Sequence, residues 1–431
     1  MDVNNPLGGQ AIASGGFGCV FYPALKCKDS VNREPNKISK LFTNKYALSE
    51  YNEIQLLKPL LKQIPNYSDF FIINNLTLCS PDKLSPDDLI YFNNKCNNIT
   101  NQTDITINNN LDEFKILNMP YGGITVSNYI LNNINVIDNR SYIHFININN
   151  SLIKILKNGI IPMNKLNIYH GDIKESNILI DIKETPLKPK IIDWGLAIIY
   201  NNNNDVIIPK QWWNRPLQFN VPFSNILFST DFFDLVKGFI RNKTIKKDLN
   251  NCKTFMKDYM AMFLRKNTRG HHLYIQYMFS LLFEDKSQYE NIIIDYNSKI
   301  LFKFKGSTNL DFMAYMNTVY KKNVDVWGFI VSYIPILELL VKNEKYLSTN
   351  MKSALKKIKQ IFIKYLYNTP TSPIDIHMLT QDLQNINLLF NKEINKEQKK
   401  YVKTKRTTNK QNNTKRSVKS KRYRTSKKYE T

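Results

Sequence analysis

Three polar side chains lie close together in the stretch Ile168–Asp181, which reads IYHGDIKESNILID. They are Asp172, Lys174 and Asn177, and apolar residues flank them on both sides. A loop that presents a carboxylate, an ammonium group and an amide on one side is suited to phosphoryl transfer. The carboxylate would accept a hydroxyl proton, the lysine would offset charge on the moving phosphoryl group, and the amide would help to hold a metal ion.

A second candidate carboxylate follows in the sequence KIIDWGLA (Lys190–Ala197). Asp193 ends an apolar run and is followed by an aromatic residue and Gly195. A carboxylate at the end of a strand can bind a magnesium ion that bridges nucleotide phosphates. Taken alone, this pattern is equally typical of an ordinary turn.

A glycine-rich stretch, IASGGFGCV (Ile12–Val20), lies near the start of the chain. Gly15, Gly16 and Gly18 would let backbone N–H groups approach phosphate oxygens without a side-chain clash. Phe17 would cap the tip of such a loop. A purely structural turn explains these glycines equally well.

A lysine in the apolar, strand-like run NKISKLF (Asn36–Phe42) is the fourth candidate. A lysine that contacts phosphates needs a carboxylate to hold it. The next predicted helix, Tyr46–Leu57, offers Glu50 and Glu53 as partners for Lys40. Each of these three charges is also compatible with a solvated position at a strand edge or on a helix face.

The order of these segments resembles the signature of the eukaryotic-type protein kinase superfamily over Ile12–Leu340. The Asn-, Ile- and Lys-rich style is similar to that of the divergent serine/threonine kinases of giant nucleocytoplasmic DNA viruses. The resemblance implies an α+β, bilobal protein-kinase-like fold. A small β-rich N-lobe would occupy residues 1–119, and a larger, mainly helical C-lobe would occupy 120–392, including a large insertion around 223–320.

The resemblance also implies a nucleotide site for ATP beneath the glycine loop. Glu53 would pair with Lys40, because Glu53-Ile-Gln-Leu-Leu resembles the family's helix pattern, and Glu50 would be the fallback. The implied nucleotide-binding residues are Ile12, Gly15, Gly16, Phe17, Gly18, Val20, Lys40, Glu53, Met119 and Tyr121.

The same resemblance assigns chemical roles to the loop. Asp172 would be the catalytic base, Lys174 would stabilise the γ-phosphate, and Lys40 would contact the α- and β-phosphates of ATP. Asn177 and Asp193 would hold Mg²⁺. The implied activity is a serine/threonine protein kinase that transfers the γ-phosphate of ATP to Ser/Thr hydroxyls of protein substrates.

Some features depart from or extend the family pattern. Ala13 stands where the first glycine of the loop is usual, and Gly171 stands where many protein kinases have an arginine that meets a phosphate. We therefore expect activity that does not require phosphorylation of the activation segment. The stretch NVDVWGF (Asn323–Phe329) resembles the family's buried helix, in which Asp325 would brace the backbone of the catalytic loop.

Two alternatives remain open at the level of sequence. His170-Gly171-Asp172 is also the form found in small-molecule phosphotransferases of the aminoglycoside and choline kinase type. A pseudokinase would keep the fold and act as a binding scaffold. Lys174 favours serine/threonine acceptors, and the presence of every expected catalytic residue favours an enzyme.

The chain has an excess of positive charge, concentrated near its C-terminus, and several Asn-rich stretches. Lys and Arg number 60 against 36 Asp and Glu, and the segment Lys396–Thr431 alone carries 15 Lys and Arg with two Glu. This composition predicts a disordered basic tail at 393–431. Nucleic acid, an anionic membrane, an acidic partner or a nuclear import receptor would each suit such a tail as a partner. The pure Asn run Asn201–Asn204 and the Asn-rich stretch Asn93–Asn110 predict surface loops.

The cysteines and the apolar runs predict a location. Five cysteines without metal-ligand spacing favour a reducing compartment over a disulfide framework. The start MDVNNPLGGQ shows no signal peptide, and the apolar run Gly328–Val341 is too short to span a bilayer. We therefore expect a soluble intracellular protein without a transmembrane segment, in the host cytoplasm or the virion if it is viral.

Overall fold

The computed structural model describes residues 9–15, 18–99, 101–134, 137–200, 207–266, 270–283 and 288–396. The first 120 residues contain a five-stranded sheet together with a long helix, and helices dominate the remainder, so the predicted mixed α+β class is confirmed.

A five-stranded antiparallel sheet forms the N-terminal part, with strand order β1-β2-β3-β5-β4. Its strands are β1 (Gln10–Gly15), β2 (Gly18–Tyr22), β3 (Lys37–Thr43), β4 (Thr77–Cys79) and β5 (Phe114–Pro120). The apolar segment Phe114–Pro120 is a strand, as predicted. Strand β3 lies in the middle of the sheet, where Lys40 pairs with Val20 of β2 and Leu117 of β5.

Helix α1 (Asn44–Leu61) follows β3 without a loop and contains the predicted helix Tyr46–Leu57. Its buried residues recur at helical spacing and pack the helix against the sheet: Ala47, Glu50, Ile54, Leu57 and Leu61. Glu50 is the one charged residue in this buried set, which places a carboxylate between the helix and the sheet.

The opposite face of the sheet is covered by the connection between β4 and β5, which includes the short helix α2 (Phe92–Lys95). The apolar residues that cover the sheet are Leu84, Phe92, Ile99 and Ile107, and they pack on Phe21, Leu41 and Ile116. The Asn-rich stretch Asn93–Asn110 therefore contributes to a hydrophobic cluster, contrary to the expectation of a simple surface loop.

Two disulfides fasten this covering segment and the neighbouring loop to the sheet. They join Cys19 to Cys96 and Cys27 to Cys79, leaving Cys252 as the free, buried thiol. The expectation of unpaired cysteines is therefore corrected. The paired residues lie 77 and 52 positions apart, and the sheet order brings them together, so their spacing in the sequence carries no signal of pairing.

Two small sheets and a first group of helices follow the N-terminal sheet. The strands are β6 (Ile124–Thr125), β7 (Ile168–Tyr169), β8 (Ile178–Asp181), β9 (Lys188–Ile191) and β10 (Ile198–Ile199). The helices are α3 (Val126–Asn133), α4 (Asn139–Ile155) and α5 (Ile161–Lys165), with a π-helical turn at Leu156–Ile160. Helix α4 matches the predicted helix Ser141–Lys157. Strands β6, β8 and β9 form one sheet and β7 pairs with β10, so both small sheets border the loop 170–177.

The remaining helices build the C-terminal part around one buried helix. They are α6 (Thr230–Arg241), α7 (Leu249–Lys266), α8 (His272–Leu282), α9 (Tyr289–Phe304), α10 (Phe312–Tyr315), α11 (Lys321–Val331), α12 (Ile334–Lys342), α13 (Thr349–Phe362) and α14 (376–396). Ten residues of α11 are buried. Phe223 and Tyr296 from the range 223–320 contact the ring of Trp327 at centroid distances of 5.0 and 5.8 Å. The described residues of the range 223–320 are therefore mainly helical and share the main core.

One apolar segment, Phe312–Lys342, is long enough to cross a membrane, but 83% of its most apolar window is buried inside the protein.

The last described helix, α14, continues to residue 396, beyond the predicted start of the tail at 393. Glu393 is buried there and accepts a hydrogen bond from Asn350 at 2.6 Å. Residues 397–431, where most of the predicted tail falls, lie outside the described part of the chain.

Candidate active site

Lys40 occupies the central strand of the N-terminal sheet and lies between two carboxylates. Its Nζ is 2.6 Å from Oε2 of Glu50 and 3.5 Å from Oδ1 of Asp193. The lysine side chain is 13% exposed and the Glu50 side chain 10%, so their ion pair is largely shielded from water. The contact with Asp193 joins the sheet to the loop that follows β9.

The structure corrects the predicted partner of Lys40 from Glu53 to Glu50. Glu53 instead accepts a hydrogen bond from Ser49 Oγ at 3.3 Å, and its side chain is only half-buried. The physical reason is helical phase, since Glu50 shares the buried face of α1 with Ala47 and Ile54, whereas Glu53 lies beside that face.

The charges of this cluster favour the ionised forms of Lys40 and Asp193, whereas burial and the charge of Asp193 raise the pKa of Glu50 although Lys40 opposes that shift. Burial by itself lowers the pKa of Lys40, but the carboxylates of Glu50 and Asp193 outweigh it and hold that pKa above its usual value. Burial likewise would raise the pKa of Asp193, yet the positive charges of Lys40, His170 and Lys174 hold it below its usual value. Lys40 and Asp193 therefore form a pair of opposite charges at neutral pH.

The predicted loop residues Asp172, Lys174 and Asn177 contact one another. Lys174 Nζ lies 2.9 Å from Oδ2 of Asp172, and Asn177 Nδ2 donates to the same oxygen at 3.0 Å and to the Asp172 carbonyl at 2.8 Å. Asp172 is 8% exposed and Asn177 5% exposed. The loop therefore fixes the direction of one buried carboxylate.

Asp325 braces the backbone of this loop, as the sequence predicted. Its carboxylate accepts hydrogen bonds from the N–H groups of His170 at 3.0 Å and Gly171 at 2.8 Å. Asp325 is fully buried on α11, and burial raises its pKa, while the charge of His170 and the two N–H donors act in the opposite direction. The loop is thus tied to the central helix of the C-terminal part.

Asn177 and Asp193 come together at one end of the hairpin formed by β8 and β9. Ile178 pairs with Ile191, and the N–H of Ile192 donates to the Asn177 carbonyl at 3.1 Å. Strand β9 ends at Ile191, so Asp193 lies two residues beyond the strand and not at its last position. Asp193 adopts a φ of 68°, an uncommon left-handed conformation for a residue other than glycine.

The neighbouring aromatic and imidazole rings hold this turn in place. Trp194 is 1% exposed, and its ring lies 5.7 Å from that of Phe71 and 5.0 Å from that of His170. His170 Nε2 lies 3.0 Å from the Ile192 carbonyl. Asp193 is therefore positioned from both sides of its turn.

The predicted nucleotide-binding residues of the glycine stretch line the β1–β2 hairpin, in which Gly15 pairs with Gly18. Ile12 is 44% exposed, and Val20 pairs with Ala13 on one side and Lys40 on the other. The other two residues predicted here, Gly16 and Phe17, lie outside the described residues.

Gly18 has a structural reason to be glycine. A Cβ at this position would collide with the Leu41 carbonyl oxygen. This glycine therefore permits close pairing of β2 with β3, whether or not the hairpin binds a phosphate.

Met119 and Tyr121 lie at the end of β5, where the chain leaves the sheet. Met119 is 8% exposed and pairs with Ile38, and the Tyr121 ring lies 4.8 Å from the ring of Tyr22. This end of β5 precedes β6, which pairs with the strand that follows the Asp172 loop. The connection therefore leads from the N-terminal sheet to the small sheet that borders the Asp172 loop.

Sequence reasoning missed Asn220, which contacts the candidate base directly. Asn220 Nδ2 donates to Oδ1 of Asp172 at 2.8 Å and to the Ile173 carbonyl at 3.3 Å, and the residue is fully buried. An isolated asparagine 48 positions after Asp172 gives no local signal, because the contact depends on how the intervening chain folds back. The nearby Trp212, also fully buried, packs in the core.

The donor set of Asn177 and Asp193 fits a magnesium ion. The amide nitrogen of Asn177 is used on Asp172, which leaves its carbonyl oxygen as the ligand atom, and Asp193 adds a partly exposed carboxylate. Mg²⁺ is typically held by one or two protein oxygen ligands together with substrate phosphates and water. Among the described residues there is no cluster of three His, Cys, Asp or Glu side chains that would hold a metal alone.

Two cavities lie elsewhere, on the C-terminal part. One of about 650 Å³ is bordered by Lys253, Asp295 and Lys299, and one of about 320 Å³ is bordered by Lys364 and Asp382. Neither includes a residue of the charged cluster. We place the candidate site at the cluster because chemistry-bearing side chains from distant segments meet there, and cavity volume alone carries no such information.

Comparison with known proteins does not assign the chain to a family. No protein-family model matches the chain, and no curated protein sequence matches it. The residues and their geometry are therefore the basis for assigning a function.

Proposed function

We propose that this chain is a serine/threonine protein kinase that transfers the γ-phosphate of ATP to a protein hydroxyl, within a bilobal kinase-like fold. The observation that carries the proposal is a pair of polar clusters, Lys40–Glu50–Asp193 and Asp172–Lys174–Asn177, whose loops are joined by the hydrogen bond from the Ile192 N–H to the Asn177 carbonyl. They come from segments that are 153 positions apart at the Lys40–Asp193 contact. A shielded lysine, two magnesium-type ligands and a fixed carboxylate are the groups that phosphoryl transfer requires.

Asp172 is suited to accept the proton of the incoming hydroxyl. Its carboxylate already accepts hydrogen bonds from Lys174, Asn177 and Asn220. A carboxylate offers about four acceptor positions, so capacity remains for a substrate hydroxyl. The three donors fix the direction of the oxygens before substrate arrives, which lowers the entropic cost of aligning the reacting groups.

Lys174 and Lys40 supply positive charge on two sides of the proposed transfer. Lys174 bridges to the base and would face the transferred phosphoryl group, whereas Lys40 would contact the phosphates that stay with the nucleotide. Held by Asn177 and Asp193, Mg²⁺ would neutralise phosphate charge. Catalysis would then come from positioning and electrostatic stabilisation, without a covalent enzyme intermediate.

A panel of acceptors tests the proposed reaction class. Wild type and Asp172→Ala would be incubated with γ-labelled ATP and Mg²⁺ on mixed proteins, on amino sugars and on choline. We expect label on protein Ser and Thr with wild type, and a loss on the order of 10²-fold or more in the variant. Label on the small alcohols alone would support the small-molecule phosphotransferase instead, and nucleotide binding without transfer would support the scaffold.

A further inference from the structure

Gly171, the residue before the candidate base, is held from three sides. Its N–H donates to Asp325 at 2.8 Å, and its carbonyl accepts a hydrogen bond from Arg215 Nη1 at 3.0 Å. On its third side lies Trp212, whose Nε1 would be 2.8 Å from a Cβ at this position. Gly171 also has a φ of 69°, so a side chain here would be both strained and in collision.

Arg215 is unusual because it is a buried guanidinium without a carboxylate partner among the residues that the structure describes. It is 7% exposed, and its Nη2 is buried without a hydrogen-bond acceptor. Burial lowers the pKa of Arg215, while Tyr320 and Asp172 act against this shift. An uncompensated buried charge costs stability, so packing alone would favour an apolar side chain at this position.

The segment that carries Arg215 is itself firmly anchored. The Asn214 N–H donates to the Phe228 carbonyl at 2.7 Å, and Asn225 Nδ2 donates to the Pro216 carbonyl at 2.7 Å. Residues on both sides of Arg215 are therefore fixed to the chain that leads into α6. The Arg215 guanidinium therefore donates to the Gly171 carbonyl from a segment whose backbone is fixed.

We propose that Arg215 is a positioning residue of the candidate active site, which orients Asp172 through the Gly171 carbonyl without contacting nucleotide or acceptor. The kinetic part of this inference rests on the proposed function. The peptide unit between Gly171 and Asp172 is planar, so an interaction that fixes the Gly171 carbonyl also restricts the rotation of the Asp172 backbone. Burying the Arg215 charge costs free energy of folding, and the orientation of the catalytic loop is then the reason for keeping the arginine.

The test compares Arg215→Met with Arg215→Lys and with the matched control Arg265→Met. Arg265 also donates to a backbone carbonyl, that of Ala261 at 3.2 Å, but it is exposed on α7. We expect kcat to fall by about 10²-fold in Arg215→Met, because displacement of a reacting group by about 1 Å has an effect of this size. The KM for ATP should stay within about twofold, since the lost interaction acts on the transition state. Arg215→Lys should recover part of kcat, and the control should match wild type.

Amide hydrogen exchange of residues 168–177 provides a readout that does not depend on activity. Exchange at His170–Asp172 should accelerate in Arg215→Met but not in Arg265→Met. Wild-type kcat and exchange in Arg215→Met, or equal changes in kcat and KM without a local change in exchange, would overturn the inference. If wild type transfers no phosphate, the proposed function fails and the exchange comparison alone decides the positioning role. If Arg215→Met does not fold, Arg215→Lys is judged by the same two measurements.

Discussion

Glu50 and Glu53 lie three residues apart on one helix and have different surroundings. Glu50 faces the sheet and contacts Lys40, whereas Glu53 bonds to Ser49 near the surface. The resemblance to a kinase helix motif favoured Glu53. The buried face of α1 instead determines that Glu50 reaches Lys40. The candidate base, Lys174 and the two proposed magnesium ligands could be named from local spacing, because each lies inside a short motif.

Glu50→Gln should impair nucleotide use much more than Glu53→Gln does. Removing the charge of Glu50 leaves Lys40 held by Asp193 alone, so we expect the lysine to shift and kcat/KM for ATP to fall by roughly tenfold to 10²-fold. Steady-state kinetics on both variants measures this. The reverse order of effects would return the pairing role to Glu53.

Glu53 also provides a pH-dependent prediction about stability. Burial and the nearby charge of Glu50 raise the pKa of Glu53 to about 7. Between the usual value for glutamate and this raised value, the folded chain binds more protons than the unfolded chain, so stability falls as pH rises through that range. Glu53→Gln should therefore raise the melting temperature relative to wild type at pH 8 and have little effect near pH 4.5. A stabilisation that is equal at both pH values would contradict this assignment.

Asn220 should contribute to catalysis through its hydrogen bond to Asp172. A hydrogen bond to a charged group contributes about 1.5–3 kcal/mol, so Asn220→Ala should reduce kcat by about tenfold or more. Asn343→Ala is the matched control, because Asn343 donates to the Leu339 carbonyl at 2.8 Å, remote from the site. Equal kcat values for wild type and Asn220→Ala would show that Asn220 does not contribute to catalysis.

Among the elements, the strands and long helices were the most predictable features. Phe114–Pro120 and the helix around Tyr46–Leu57 follow from apolar runs and helical spacing. The covering segment between β4 and β5 was not predictable, because its asparagines obscure the few apolar residues that meet the sheet. Arg215 and Asn220 were missed for a related reason, since only the tertiary path of their segment brings them to the Asp172 loop.

The covering segment should depend on its disulfides for stability. Loops of 77 and 52 residues correspond to about 4 kcal/mol each in the chain-entropy model, with the two contributions not strictly additive. Reducing agent should therefore lower the melting temperature of wild type by several degrees. Cys19→Ser/Cys27→Ser should melt lower and show no further response to reductant, whereas Cys252→Ser should respond as wild type does. A wild-type melting curve unaffected by complete reduction would contradict this role.

At the scale of the whole molecule, the candidate site lies where the N-terminal sheet meets the helical part. The Lys40–Asp193 contact, the Phe71–Ile191 bridge and the Phe71–Trp194 ring contact all cross this junction. Asp325 then connects the loop to the most buried helix. A change in how the two parts sit together would therefore alter the site directly, which explains why no single segment reveals its geometry.

A single-turnover experiment tests the central claim most directly. Excess wild type and Asp172→Asn would each be mixed with γ-labelled ATP, Mg²⁺ and a protein acceptor found in the panel, and phosphoserine and phosphothreonine would be followed in time. The account predicts label transfer by wild type and a rate lower by about 10²-fold or more in Asp172→Asn, with ATP still bound. Equal transfer by both proteins, or none by wild type on any acceptor, would contradict it.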